Sequence, residues 1–126
     1  IYRQAFEEAL EKGNHNIAGY TGINTAFMTL AMDNKNLKKA ASIARKAAKA
    51  KRQASKSDKW STIVEGEALL YMDKFDQAIS HYEKGLPNLD VRERVNSIQQ
   101  AIWISRLLGN YSLELQLAGL LARVGA

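Results

Sequence analysis

The sequence contains no cysteine, one proline and no long apolar run, and each shortage excludes a class of protein. Without cysteine there are no disulfides, thiolate metal sites or cysteine nucleophiles, and the chain suits a reducing, intracellular setting, so we expect a cytoplasmic location. No run of apolar residues approaches the roughly 20 needed to cross a bilayer. With 46% hydrophobic and 25% charged residues, the composition favours one folded domain spanning 1–126.

Alternating β-strand patterns are also missing, because apolar residues recur at spacings of three and four along nearly the whole chain. This spacing predicts an all-α fold of about seven helices, whose short joints make neighbouring helices antiparallel. Gly13, Gly109 and Pro87 interrupt the pattern, and Ser57-Asp58 is typical of a helix cap. The predicted helices cover about 1–12, 18–33, 36–55, 58–73, 75–86, 91–109 and 112–124.

A repeat emerges when one helix pair is compared with the rest of the chain. Gly66 on one helix is followed, after a turn, by Ala78 and Tyr82 on the next, so we expect Gly66 at a close crossing of these helices, beside both residues. The same register aligns four positions spaced 35, 38 and 36 residues apart, namely Ala5, Ala40, Ala78 and Glu114. This pattern resembles the tetratricopeptide repeat, a helix-turn-helix unit of about 34 residues. The resemblance implies antiparallel helix pairs stacked in an open right-handed superhelix.

In this register the first helix lacks its own partner, and three complete pairs follow it. The chain therefore looks like part of a longer protein, with the apolar face of the first helix left in water. We expect self-association through that face, which comprises Tyr2, Phe6, Ala9 and Leu10.

Four segments resemble a more specific helical-repeat region. They read YTGINTA at 20–26, WSTIVEGEALL at 60–70, SLELQ at 112–116 and LLARVG at 120–125. They are similar to the TRAFs-binding domain, which lies beside the kinase domain in MAP kinase kinase kinases of the apoptosis-signal-regulating type and has related stretches in bacterial proteins. The resemblance implies a regulatory scaffold that binds other proteins, without identifying the partner.

Residues suited to catalysis or metal binding are sparse. His15 and His81 have no second histidine at ligand spacing, so neither a zinc site nor a catalytic triad can form locally. Glu65 and Glu67 are two residues apart and point to different sides of a helix, so they are not an acid-base pair. We therefore expect no catalytic, cofactor-binding or metal-binding residues, and a protein that is not an enzyme.

Positive charge is concentrated in one segment. Between residues 35 and 59, ten Lys and Arg residues stand against one Asp, a net charge of +9, while the rest of the chain carries −4. Two interpretations stay open: a solvated outer face, or a binding surface for an acidic protein, nucleic acid or anionic surface. On the predicted helix 36–56 we define the basic stripe as Lys38, Lys39, Arg45, Lys46, Lys49, Arg52 and Lys56.

The tetratricopeptide resemblance implies that first helices line a concave groove and that the basic stripe lies on the opposite, convex side. Trp60 and Trp103 suit either core packing or partner anchoring, since Trp and Arg are enriched among binding hot spots. The leading hypothesis is a scaffold that binds a protein or peptide in the groove, and the alternative is nucleic-acid or polyanion binding through helix 36–56. The implied groove residues are Thr25, Thr29, Trp60, Val64, Glu67, Gln99, Gln100, Trp103 and Arg106.

Overall fold

A computed structural model describes residues 2–54 and 59–124, and these residues form seven α-helices and no strand. None of the helices in these two ranges is both long and apolar enough to cross a membrane. The prediction of an all-α fold with about seven helices is confirmed, while superhelical stacking stays a prediction. The helices are α1 (Tyr2–Glu11), α2 (His15–Met32), α3 (Leu37–Ala54), α4 (Ser61–Tyr71), α5 (Phe75–Gly85), α6 (Val91–Leu107) and α7 (Tyr111–Val124), with 3-10 turns at Asn34–Asn36 and Leu86–Asn88.

Two Gly-Asn pairs separate helices, as their sequence predicts. Gly13 and Gly109 have φ angles of +71° and +70°, a left-handed conformation that glycine adopts without steric cost, so α1 and α6 end beside them. The side chains of Asn14 and Asn110 each accept a hydrogen bond from the backbone N–H three residues later. Each pair therefore stops one helix and caps the next. The predicted cap at Ser57-Asp58 lies outside the described residues.

The crossing of α4 and α5 is close because α4 presents a glycine there. A Cβ atom on Gly66 would lie 3.1 Å from Cβ of His81 and 3.3 Å from Cε2 of Tyr82. Tyr82 and Ala78 are fully buried on the facing helix. The prediction that Gly66 sits at a tight crossing beside Tyr82 is confirmed.

Helix α1 packs its apolar side against its own chain. Phe6 and Ala9 are buried, and a Cβ on Gly22 of α2 would lie 2.6 Å from Cε1 of Phe6. The expectation of an uncovered face is therefore wrong for Phe6 and Ala9, because a glycine in α2 lets the ring reach the backbone. Leu10 is 39% exposed, and the side chain of Tyr2 lies outside the described residues.

Helix α2 carries three threonines whose hydroxyls bond to its own backbone. Oγ1 of Thr21, Thr25 and Thr29 each donates to the carbonyl four residues earlier, at 2.7 Å. Thr25 is only 3% exposed, and its assignment to a groove stays a prediction. Thr29 is half-buried, and its hydroxyl is already engaged in the same way.

Candidate binding site

A cavity of about 360 Å³ lies where α2, α4 and α6 meet, and α3 contributes one side chain to it. We call it the Glu67 cavity. Its size falls within the roughly 300–1,000 Å³ of ligand pockets, which combine apolar walls with a few polar groups. Its lining has the same mixture: Ile23, Asn24, Lys51, Trp60, Ile63, Val64, Glu67, Asn96, Ser97 and Gln100.

Helical spacing explains how the lining is assembled. Trp60, Val64 and Glu67 stand four and three residues apart, so they project from one side of α4 and of the residue that precedes it. Ser97 and Gln100 are three residues apart on α6, and Asn24 lies on α2. Each of the three helices therefore contributes one stripe to a shared surface.

Glu67 is the acidic group of the cavity and is almost fully buried, with 7% exposure. Burial raises the pKa of its carboxyl to about 8, against a smaller lowering by the Gln100 amide, whose Nε2 donates to Oε2 at 3.5 Å. The carboxyl is therefore mostly protonated at neutral pH. Tyr71 and Tyr82 are buried nearby. Their own burial, and the charge that Glu67 carries when ionised, raise the pKa values of both hydroxyls well above their usual range.

Lys51 is the basic group of the cavity, and it differs from the exposed lysines of the same helix. It is 5% exposed, and its methylene groups pack against α2, where a Cβ on Gly19 would lie 3.0 Å from Cβ and Cδ of Lys51. Lys51 and Asn24 each make an interaction within the fold. Both polar groups are therefore already engaged before any ligand binds.

An ion pair ties the residues before α4 to the start of α6. Lys59 Nζ lies 2.9 Å from Oε2 of Glu93, and 5.8 Å from the centroid of the Trp60 ring. Glu93 also completes a capping box with Asp90, whose side chain accepts from the Glu93 backbone N–H at 2.8 Å. These contacts hold Trp60 beside α6, on the border of the cavity.

The cavity brings together four of the residues that the sequence assigned to a groove: Trp60, Val64, Glu67 and Gln100. Three others lie outside it, on the exposed side of α6: Gln99, Trp103 and Arg106. Trp103 is 56% exposed and so is not a core residue, and Cζ of Arg106 lies 5.6 Å from the centroid of its ring. Arg106 also pairs with Glu114 of α7.

Sequence analysis missed six lining residues: Ile23, Asn24, Lys51, Ile63, Asn96 and Ser97. For α6, the signal was present, because Asn96 and Ser97 lie one turn before Gln99 and Gln100. For Lys51 there was no signal, since its neighbours Lys49 and Arg52 are exposed and its burial involves packing against Gly19 of another helix.

The basic stripe is exposed wherever the structure describes it. Lys38, Lys39, Arg45, Lys46, Lys49 and Arg52 are all exposed, and Lys56 lies outside the described residues. Its last described member, Arg52, pairs through Nη1 with Oε1 of Glu65 at 3.2 Å, and Nε2 of His81 lies 3.4 Å from Oε2 of the same carboxylate.

Glu65 therefore lies toward α3 and α5, whereas Glu67 faces the cavity. The prediction that Glu65 and Glu67 point to different sides of their helix is confirmed.

Within the two described ranges, no group of three or more His, Asp or Glu residues is placed to hold a metal ion. In comparisons with known proteins, no family model, no curated protein and no solved structure matches the chain, so no relative helps to interpret the cavity. The tetratricopeptide and TRAFs-binding resemblances therefore stay predictions, and function is argued from the geometry of the site.

Proposed function

We propose that this chain is a protein-interaction module that binds a segment of a partner protein on the surface formed by α2, α4 and α6. The observation that carries the proposal is the Glu67 cavity, which opens a recess among three helices whose flanking positions bear exposed apolar side chains.

Two large apolar side chains continue the surface along its helices. Met28 lies one turn beyond Asn24 on α2 and is 49% exposed, and Trp103 lies one turn beyond Gln100 on α6. Large aromatic side chains dominate the energetics of protein interfaces, because they bury much area for little lost side-chain entropy. A recess with a Trp and a Met beside it therefore suits an extended or helical partner segment.

A second candidate function is polyanion binding through the basic stripe. Its support is specific: six of the seven stripe residues are described and exposed on α3, and of these Arg52 is in an ion pair. An exposed, one-signed stripe attracts phosphate-rich or acidic partners electrostatically.

The two functions are separated by matched variants tested on a partner recovered from cell extract. Trp103→Ala removes the aromatic anchor beside the cavity, and Tyr111→Ala removes a still more exposed aromatic on α7, at 70% against 56% exposure, as its control. The double variant Arg45→Glu with Lys49→Glu reverses charge in the basic stripe. We expect Trp103→Ala to weaken binding by more than about 2 kcal/mol, with little change for Tyr111→Ala.

Salt dependence gives the second readout. Binding at an apolar surface changes little with salt, whereas each phosphate neutralised by the stripe adds about 0.9 to the slope of log affinity against log salt. Loss of binding only in the charge-reversed protein, with a steep salt slope and an unaffected Trp103→Ala variant, would reject the groove and establish the polyanion function.

A further inference from the structure

We propose that the Glu67 cavity binds the basic side chain of a lysine or arginine from the partner, with the Glu67 carboxylate as counterion and the apolar walls around the methylene stem. The inference deepens the proposed function and rests on it, because the basic side chain belongs to the segment that docks on α2, α4 and α6.

The first argument is the unused hydrogen-bonding capacity of Glu67. An ionised carboxylate offers about four acceptor positions. In the described part of the chain the side chain of Glu67 receives one hydrogen bond, from Gln100 at 3.5 Å. The buried hydroxyls of Tyr71 and Tyr82 have no hydrogen-bond partner among the described residues, so neither donates to it. An ammonium or guanidinium group would supply both the missing donors and the missing charge.

The second argument is the contrast with the other charged side chain of the cavity. Lys51 already makes an interaction within the fold, and its stem is packed against Gly19. A carboxylate ligand would have to compete with that arrangement, whereas a cationic ligand meets a carboxyl whose burial is uncompensated. The ionisable group that the fold leaves without an ionic partner among the described residues is therefore the acidic one, Glu67.

The third argument is the shape and chemistry of the walls. Ile63 and Val64 provide aliphatic surface next to Glu67, and Trp60 adds an aromatic ring. Lysine and arginine carry long methylene stems that pack on apolar surface while the charged head reaches a polar partner. The walls thus suit the stem, and the carboxyl suits the head.

Binding of this kind is linked to a proton. Burial keeps the pKa of Glu67 near 8, so a cation that pairs with the carboxylate must release the proton first. The other groups facing Glu67 are Lys51 from α3, Tyr71 from α4 itself and Tyr82 from α5, while α2 and α6 present uncharged amides. A lysine ammonium, with an ordinary pKa of about 10.4, stays charged throughout. Affinity for it should therefore rise about 50-fold between pH 6 and pH 8.

The test is a titration followed by amide NMR shifts and Trp fluorescence, with N-acetyl-lysine methylamide as the probe. The norleucine analogue has the same stem without the ammonium, and the 2-aminoadipate analogue has a carboxylate in place of the terminal methylene and its ammonium. We expect the lysine probe to bind at the cavity more tightly than both analogues, with affinity that rises with pH. Glu67→Gln should abolish the preference and the pH dependence, whereas Glu65→Gln, on the other side of α4, should keep both.

Equal binding of the norleucine probe would overturn the inference, and so would tighter binding of the 2-aminoadipate probe or an affinity that falls from pH 6 to pH 8. These comparisons use the unaltered protein, so they decide the matter even if Glu67→Gln fails to fold. The proposed function is tested separately. If Trp103→Ala loses the partner but the lysine probe does not bind, only the cation site is rejected. If the lysine probe binds but Trp103→Ala keeps the partner, only the interaction surface is rejected.

Discussion

Helix α4 bears two glutamates two residues apart, and the surroundings of Glu65 and Glu67 differ on the two sides of the helix. Glu65 lies beside the guanidinium of Arg52 on α3 and the imidazole of His81 on α5, and stays partly exposed. Glu67 faces the cavity, is buried, and has only a long hydrogen bond from Gln100 in the described part of the chain. The side toward α5 is tightly packed at Gly66 and borders a cavity of about 120 Å³ beside Glu65, whereas the other side borders the Glu67 cavity of about 360 Å³. The two glutamates therefore differ in their partners: Glu65 is in an ion pair with Arg52, whereas Glu67 borders the larger cavity without an ionic partner among the described residues.

The largest expected effect is a pH dependence of stability that belongs to Glu67. Its pKa is 4.5 in the unfolded chain and about 8 in the fold, so the folded state holds more protons in between and stability falls as pH rises. The Glu67 contribution should drop by roughly 2–3 kcal/mol between pH 5 and pH 7. Urea unfolding at several pH values would measure it as the difference between the unaltered protein and Glu67→Gln. Parallel curves for the two proteins would show that Glu67 is solvated in the fold.

The next effect tests how tightly α4 packs against α5 at Gly66. Gly66→Leu places a side chain where even a Cβ lies 3.1 Å from His81, so overpacking should destabilise the protein by roughly 1–3 kcal/mol. Val64→Ile adds one methylene on the cavity side of the same helix and should change stability by under about 1 kcal/mol, since it extends into open volume. Denaturant unfolding compares the two, and an equal cost for both would remove the contrast between the two sides.

The smallest effect concerns the exposed glutamate. Glu65→Gln breaks the pair with Arg52, whose side chain is 55% exposed, so the loss should stay below about 1 kcal/mol. Thermal melts at low salt and at about 1 M salt should show the loss shrinking as salt screens the pair. A loss as large as that of Gly66→Leu would mean that the Arg52–Glu65–His81 group acts as a buried network.

Local sequence signals predicted the elements of this fold well. Glycine followed by Asn marks two helix ends, and the tight crossing at Gly66 follows from its register with Ala78 and Tyr82. Helix α2 begins at His15, three residues before its predicted start, because Asn14 caps it and periodicity alone does not register a cap.

The cavity was only partly predictable, because its parts meet through tertiary packing. The spacing of Trp60, Val64 and Glu67 placed one stripe together, since residues on one helix keep a fixed geometry. The burial of Lys51 depends on Gly19, more than 30 positions away, and so has no local signal. The burial of Phe6 was not predicted either. The repeat register gave α1 no partner helix, but Phe6 packs against α2 at Gly22, which is distant in the sequence.

The threonine hydroxyls of α2 change what that helix presents to its neighbours. Each carbonyl that accepts from a threonine hydroxyl four residues later also belongs to the helix's own series of backbone hydrogen bonds. A carbonyl that accepts two hydrogen bonds tends to tilt outward, which favours bending of a helix. With the hydroxyls turned inward, Thr21 and Thr25 offer methyl groups to the surrounding helices, as valine would. Although it carries three threonines, α2 thus packs like an aliphatic segment, because their hydroxyls are already bonded to its own backbone.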